Sequence, residues 1–141
     1  MTLIDFYHSA ADRLAVVARL VAKEAPARTP IRILTPDEGV TDELDLALWM
    51  APPTSFVPHC RMESSLAAVT PVWIDHRPEH SGPANVLVNL CAEPPSFFSR
   101  FERLVEVVGT DDAAVQAGRV RFKFYRERGY ELRAHDVRGW S

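Results

Sequence analysis

Leu3-Ile-Asp-Phe6 and Ile31-Arg-Ile-Leu34 are short apolar runs, each followed by a stretch of helical periodicity. The first helical stretch opens at Ser9 or Asp12 and closes near Glu24, with Leu14, Val17, Ala18 and Val21 on one face. Pro26 and Pro30 bracket the turn into the second run. A second helix is predicted from Thr41 to Trp49, with Thr41 as its cap and Asp42 and Glu43 favourably placed in its first turn. Strand, helix, strand, helix is the signature of a doubly wound sheet. The expected architecture is therefore α/β: one Rossmann-like domain over residues 1–141, a mostly parallel sheet with helices on both faces.

Working outward, Pro52-Pro53 stops the second helix, and residues 50–70 read as a long surface connection. Strand signals resume at Val72-Trp-Ile74 and at Asn85-Val-Leu-Val-Asn-Leu90, the latter apolar enough for an interior strand. His76 to Pro83 forms a loop between them. A short helix is expected around Ser96–Arg103, then an apolar stretch from Leu104 to Val108. Thr110 or Asp111 caps a long last helix, which Gly129 ends. Tyr130 to His135 alternates like an edge strand, and residues 136–141 form a terminal extension. No repeat or interdomain linker interrupts the chain.

Apolar content of 47% and charged content of 25% are ordinary for a globular domain. Cys60 and Cys91 form no CxxC pair, so a disulfide framework or zinc ribbon is not expected. Met1-Thr-Leu-Ile-Asp5 lacks the basic start and apolar run of a signal peptide, and no segment is apolar enough to span a bilayer. A cytoplasmic protein with no membrane contact is the expectation. The net charge of −3 argues against non-specific nucleic-acid binding as the main task.

That charge is unevenly distributed. Residues 119–138 hold seven of the Lys and Arg against three acids, in a chain that is otherwise acidic. Within the last helix Val115, Gly118, Phe122 and Tyr125 define an apolar face. Arg119 and Lys123, four apart, border it, and Arg126 lies three further on. Rings beside cations suit an anionic, partly apolar ligand; a solvated basic helix end is the plainer alternative. A second patch, Trp49 with Phe56, Val57 and Pro58, places large apolar groups on a proline-braced segment, either tucked under a loop or exposed as a protein-binding hot spot.

Catalytic chemistry finds little support. The first strand–helix turn, Phe6 to Asp12, has no glycine with which to approach a phosphate. The five histidines are scattered, and His76 and His80 flank Pro78 in a loop. Neither a nucleophile elbow nor a metal-ligand set is present, so no cofactor is expected.

The opening Ile4-Asp-Phe-Tyr7, Leu48-Trp49 with Ser55-Phe-Val-Pro-His59, Asn85 to Leu90, Phe97-Phe-Ser-Arg-Phe101, and Arg119-Val-Arg-Phe-Lys-Phe-Tyr-Arg126 with Gly129-Tyr130 resemble the chi subunit (HolC) family of bacterial DNA polymerase III, over nearly the whole chain. The resemblance implies a Rossmann-like domain without enzymatic activity of its own. It implies an adaptor that joins single-stranded-DNA-binding protein (SSB) to the clamp loader through the psi subunit, meeting DNA only through SSB. The SSB tail is acidic and ends in phenylalanine. The resemblance assigns that tail to Arg119 and Lys123, with Phe122, Val115 and Arg126 alongside, and assigns psi, or a competing helicase, to Trp49, Phe56, Val57 and Pro58. Phe122 stands where members often carry Tyr, and Val115 where some carry Lys. The reading from a different class is a small cytosolic α/β enzyme acting on an anionic substrate, with Arg119 and Lys123 as clamps.

Overall fold

Alternating side chains along apolar strands give the inner strands two buried faces, and this chain uses both. In a computed structural model, which describes residues 2–24, 31–49, 59–61, 72–76 and 85–139, the elements follow the order expected of a doubly wound sheet. They are β1 (Leu3–Ala10), α1 (Arg13–Glu24), β2 (Ile31–Leu34), α2 (Glu38–Trp49), β3 (His59–Arg61), β4 (Val72–Asp75), β5 (Val86–Asn89), β6 (Arg103–Gly109), α3 (Asp112–Glu127) and β7 (Leu132–Asp136). The strands pair in the order β3-β4-β2-β5-β6-β1-β7. Every pairing among the described residues is parallel.

One sheet face carries Ile31, Ile33, Val86, Val88, Val105 and Val107 and is covered by α1 and α2 through Val16, Val17, Leu20, Leu44 and Leu48. The opposite face carries Ile4, Phe6, Leu34, Leu87, Leu104 and Val108 and packs under α3 through Tyr125 and the half-buried Phe122 and Phe124. Helices on both faces and a Rossmann-like order are thus as the sequence implies.

Several boundaries differ. Asp12, not Ser9, caps α1: its Oδ1 accepts from the Ala15 N–H at 3.1 Å. α2 starts earlier than Thr41, because Asp37 Oδ1 accepts from the Val40 N–H at 2.9 Å. Thr41 is instead buried, with its hydroxyl bonded to that of Thr35. The predicted helix around Ser96–Arg103 shrinks to one 3-10 turn, Phe98–Arg100, because Arg103 already belongs to β6. Within the supposed surface connection, His59–Arg61 pairs with β4 as a sheet strand. β7 is an edge strand, as its alternation predicts.

Candidate functional site

The last helix is fixed at both ends by local chemistry. Asp111 Oδ1 accepts from the Ala114 N–H at 2.9 Å, satisfying one of the donors that open every helix. At the other end Gly129, at φ +80°, reverses the chain. The Gly129 N–H then reaches the Arg126 carbonyl at 3.0 Å and the Tyr130 N–H the Tyr125 carbonyl at 3.3 Å, the paired bonds of a Schellman motif.

The inner face of α3 meets the sheet at Gly118, Arg121 and Tyr125, all buried. A Cβ at position 118 would lie 2.9 Å from Val108 Cγ1, so glycine sets how closely the helix approaches β6. Beyond it a polar network closes the contact. Glu106 is fully buried and accepts from Arg121 Nε at 3.0 Å, Tyr125 Oη at 2.6 Å and Asn89 Nδ2 at 3.1 Å. Asn89 reaches it because the two residues are register partners on β5 and β6. Burial pushes the Glu106 carboxyl above its ordinary range, while Arg121, Tyr125 and Asn89 pull it back. Burial and the nearby Glu106 charge raise the Tyr125 hydroxyl, which stays protonated and donates.

Along one edge of α3 a pocket of about 450 Å³ opens between the helix, the end of β1 and β7. Val115, Gly118, Arg119 and Phe122 form its helical wall, and Phe6 and Ala134 lie beneath and beside them. Phe122 is fixed edge-to-face on Phe6 at 5.2 Å. Arg119 is exposed and has no ion-pair partner among the described residues. Val115, Arg119 and Phe122 are therefore brought together in one pocket lining. Lys123 and Arg126 flank the pocket rather than line it. Lys123 Nζ lies 3.8 Å from Glu127 Oε1, and the Arg126 guanidinium stands 5.9 Å from the Phe122 ring centre.

The basic segment is less available than its composition suggests. Arg121 is consumed by Glu106, Arg133 pairs with Asp5 at 2.8 Å, Arg138 with Asp136 at 3.2 Å, and Arg128 stacks on Phe124 at 3.5 Å. Arg119 is the cation of this set that lines the pocket.

Residues missed by the sequence reading complete the pocket. His8 and Ser9, from the carboxyl end of β1, line it together with Arg119, and Thr110 adds a hydroxyl-bearing side chain. Their signal in the sequence was faint: two polar residues ending an otherwise apolar strand. Of the second patch, Trp49 is the last residue of α2; its side chain, and Phe56, Val57 and Pro58 altogether, lie outside the described residues.

A separate crevice of about 320 Å³ lies at the carboxyl ends of β5 and β6, lined in part by Arg13, Cys91 and Arg121. Arg13 Nη2 donates to the Leu90 carbonyl at 2.6 Å. Burial, with the Glu106 charge, pushes the Cys91 thiol up, which makes it a poor nucleophile. Among the described residues no cluster of three potential metal ligands occurs, and no helix is long and apolar enough to cross a membrane.

Comparison with known proteins places this geometry in context. Residues 1–133 match the family model described as DNA polymerase III chi subunit, HolC. DNA polymerase III subunit chi of Pseudomonas aeruginosa is 35% identical over 139 residues, 96% of each chain. The subunit chi of Escherichia coli is 32% identical over 128 residues, covering 86% of each chain. That of Haemophilus influenzae is 32% identical over 98 residues, covering 67% of each. With its parallel α/β sheet and this match over almost its full length, the chain belongs to the DNA polymerase III chi subunit family, accessory subunits of the replicative polymerase.

Proposed function

We propose that this protein is a non-catalytic accessory subunit of DNA polymerase III that captures the acidic C-terminal tail of SSB in the pocket beside α3. The observation carrying this reading is the convergence of Val115, Arg119 and Phe122 on one largely apolar pocket, with Arg119 free of ion pairs among the described residues. An aromatic residue ending in a carboxylate fits such a site: the ring takes the apolar floor, and a guanidinium takes the charge. Lys123 and Arg126 extend the positive edge toward acids further up the tail. Trp49, Phe56, Val57 and Pro58 are assigned to a psi-like clamp-loader subunit, or to a helicase that competes with it. Contact with single-stranded DNA then runs through SSB, because one short basic edge is too small to track a strand.

The test is calorimetric titration with an SSB C-terminal peptide, intact and lacking its final Phe. Saturable binding of the intact peptide and loss of binding on removal of the Phe is the expected result. Equal affinity for the two peptides, or no binding of either, overturns the assignment. For the second surface, Phe56→Ala should abolish capture of the psi-like partner while leaving the melting temperature and SSB-tail binding unchanged.

A further inference from the structure

We propose that His8 is a second, specificity-determining contact in this pocket, binding a carboxylate of the peptide opposite Arg119. The inference rests on the reading of the pocket as an acidic-tail site.

Along β1, Ile4 and Phe6 face α3 and are buried in the core beneath that helix, whereas Ala10, beyond a register shift, packs on the other face. His8 follows two residues after Phe6, still in register with β7, and with Ser9 lines the same pocket as Val115 and Arg119. Its ring is held, with Nδ1 2.9 Å from Ser9 Oγ. Nε2 has no partner among the described residues, leaving one nitrogen for a ligand.

Ser9 is unusual in its own right. Its φ of +65° lies in the left-handed region, which a non-glycine side chain adopts at a cost. The pairing of β1 with β6 shifts register between Tyr7 and Ala10, and this irregularity accommodates the turn. Strained residues persist where the surroundings hold them, and they cluster at ligand sites. Here the strain positions a hydroxyl against the imidazole.

Three elements surround His8, of which β7 and α3 bring charge. From β7, Asp136 is its register partner and is occupied by Arg138, at 3.2 Å to the guanidinium and 3.0 Å to the backbone N–H. His135, also on β7, takes the other sheet face and bonds Asp5 at 3.0 Å. From α3 comes Arg119; β6 and its following turn contribute Val108, Gly109 and Thr110, none of them charged. A protonated imidazole would thus add to Arg119 and oppose only an acid that already has a partner. Histidine is the side chain that gains charge within the physiological range. Ordinary carboxylates on a peptide stay ionised there, so with a peptide whose N-terminus is blocked any pH dependence between about pH 8 and about pH 6 originates in the protein.

The experiment is fluorescence anisotropy with a labelled acidic peptide, blocked at its N-terminus and ending in Phe, at constant ionic strength across that range. Wild-type affinity should rise about threefold to fivefold on acidification, the scale of a partly solvated ion pair. His8→Gln should flatten the profile, with His8→Asn as the substitute if Gln is poorly accommodated. His135→Gln should retain the slope, and Arg119→Ala should weaken binding at both ends of the range. A flat wild-type profile, or a slope that survives in the His8 variants, overturns the role of His8 while leaving the tail site standing. Indifference to the terminal Phe, or to Arg119→Ala, overturns the tail site and the His8 contact together.

Discussion

Tyr125 Oη donates to Glu106 Oε2 at 2.6 Å, with both side chains removed from solvent, and this bond pins the last helix to the sheet. The same carboxylate takes Arg121 and Asn89, so the helix bearing the candidate site is positioned by one buried acid. A satisfied network of this kind makes its members costly to remove singly.

Arg121→Ala should therefore destabilise the fold by about 3–5 kcal/mol, because it leaves a buried carboxylate without its cation. Tyr125→Phe removes one donor and should cost about 1–3 kcal/mol. Arg119→Ala, two residues from Arg121 but exposed, should stay within about 0.5 kcal/mol of wild type. Urea denaturation of the three variants checks this ordering, and similar stabilities for the Arg121 and Arg119 variants would refute it.

Peptide binding should show the opposite ranking. Arg119→Ala should weaken capture of the acidic tail by about 1–3 kcal/mol, the scale of hydrogen bonds to charged groups. Lys123→Ala should cost less, about 1 kcal/mol or below, since Lys123 is exposed and already opposite Glu127. Affinity should decline as salt rises, because the partners meet through solvated charges. Calorimetry at two ionic strengths measures both effects.

The fold was legible in the sequence wherever local chemistry and pattern agreed. Asp111 and Gly129 marked the ends of the last helix, and the apolar runs of β2 and β5 announced interior strands. Thr41 misled because a threonine before an acidic pair looks like a cap, whereas Asp37, four residues earlier, offers the carboxylate that takes the N–H. β3 was invisible because three residues carry too little periodicity to register. In the site, Arg121 was read as one cation among several. Two signs pointed inward: it shares a face with Gly118 and Tyr125, and a lone glutamate interrupts the apolar run from Leu104 to Val108. Neither sign decides without the other, since the pairing joins elements that only the fold brings together. His8 was missed for a related reason, as a pocket wall built by a strand end opposite a helix has no sequence spacing.

Gly118→Ala probes how closely the helix must approach the sheet. The added Cβ would meet both Val108 methyl groups, at 2.9 and 3.0 Å. Overpacking of this kind costs about 1–3 kcal/mol, against about 1 kcal/mol gained in helix propensity. Net destabilisation and weaker tail binding are expected, since Gly118 and Val108 both border the pocket. Val108→Ala in the same chain should recover part of the loss, because the two sites share one contact. Additive effects in a double-mutant cycle would count against the close approach.

The last prediction concerns acid stability and a second buried carboxylate. Asp5 has no exposed side-chain surface and contacts Arg103 at 2.7 Å, Arg133 at 2.8 Å and His135 at 3.0 Å. Burial alone would raise its carboxyl, but the bonds from Arg133, His135 and Arg103 outweigh it and hold the group at about 2. An unfolded aspartate titrates near 4, so the folded state favours the ionised form. The contribution is complete above about pH 4 and disappears as pH falls toward 2. It should amount to about 2 kcal/mol. Asp5→Asn should consequently lower stability at neutral pH and flatten the acid limb, while its difference from wild type shrinks toward pH 2. Urea midpoints of the two proteins across that range provide the measurement. A gap between them that stays constant with pH would mean that Asp5 stabilises β1, β6 and β7 by shape rather than by charge.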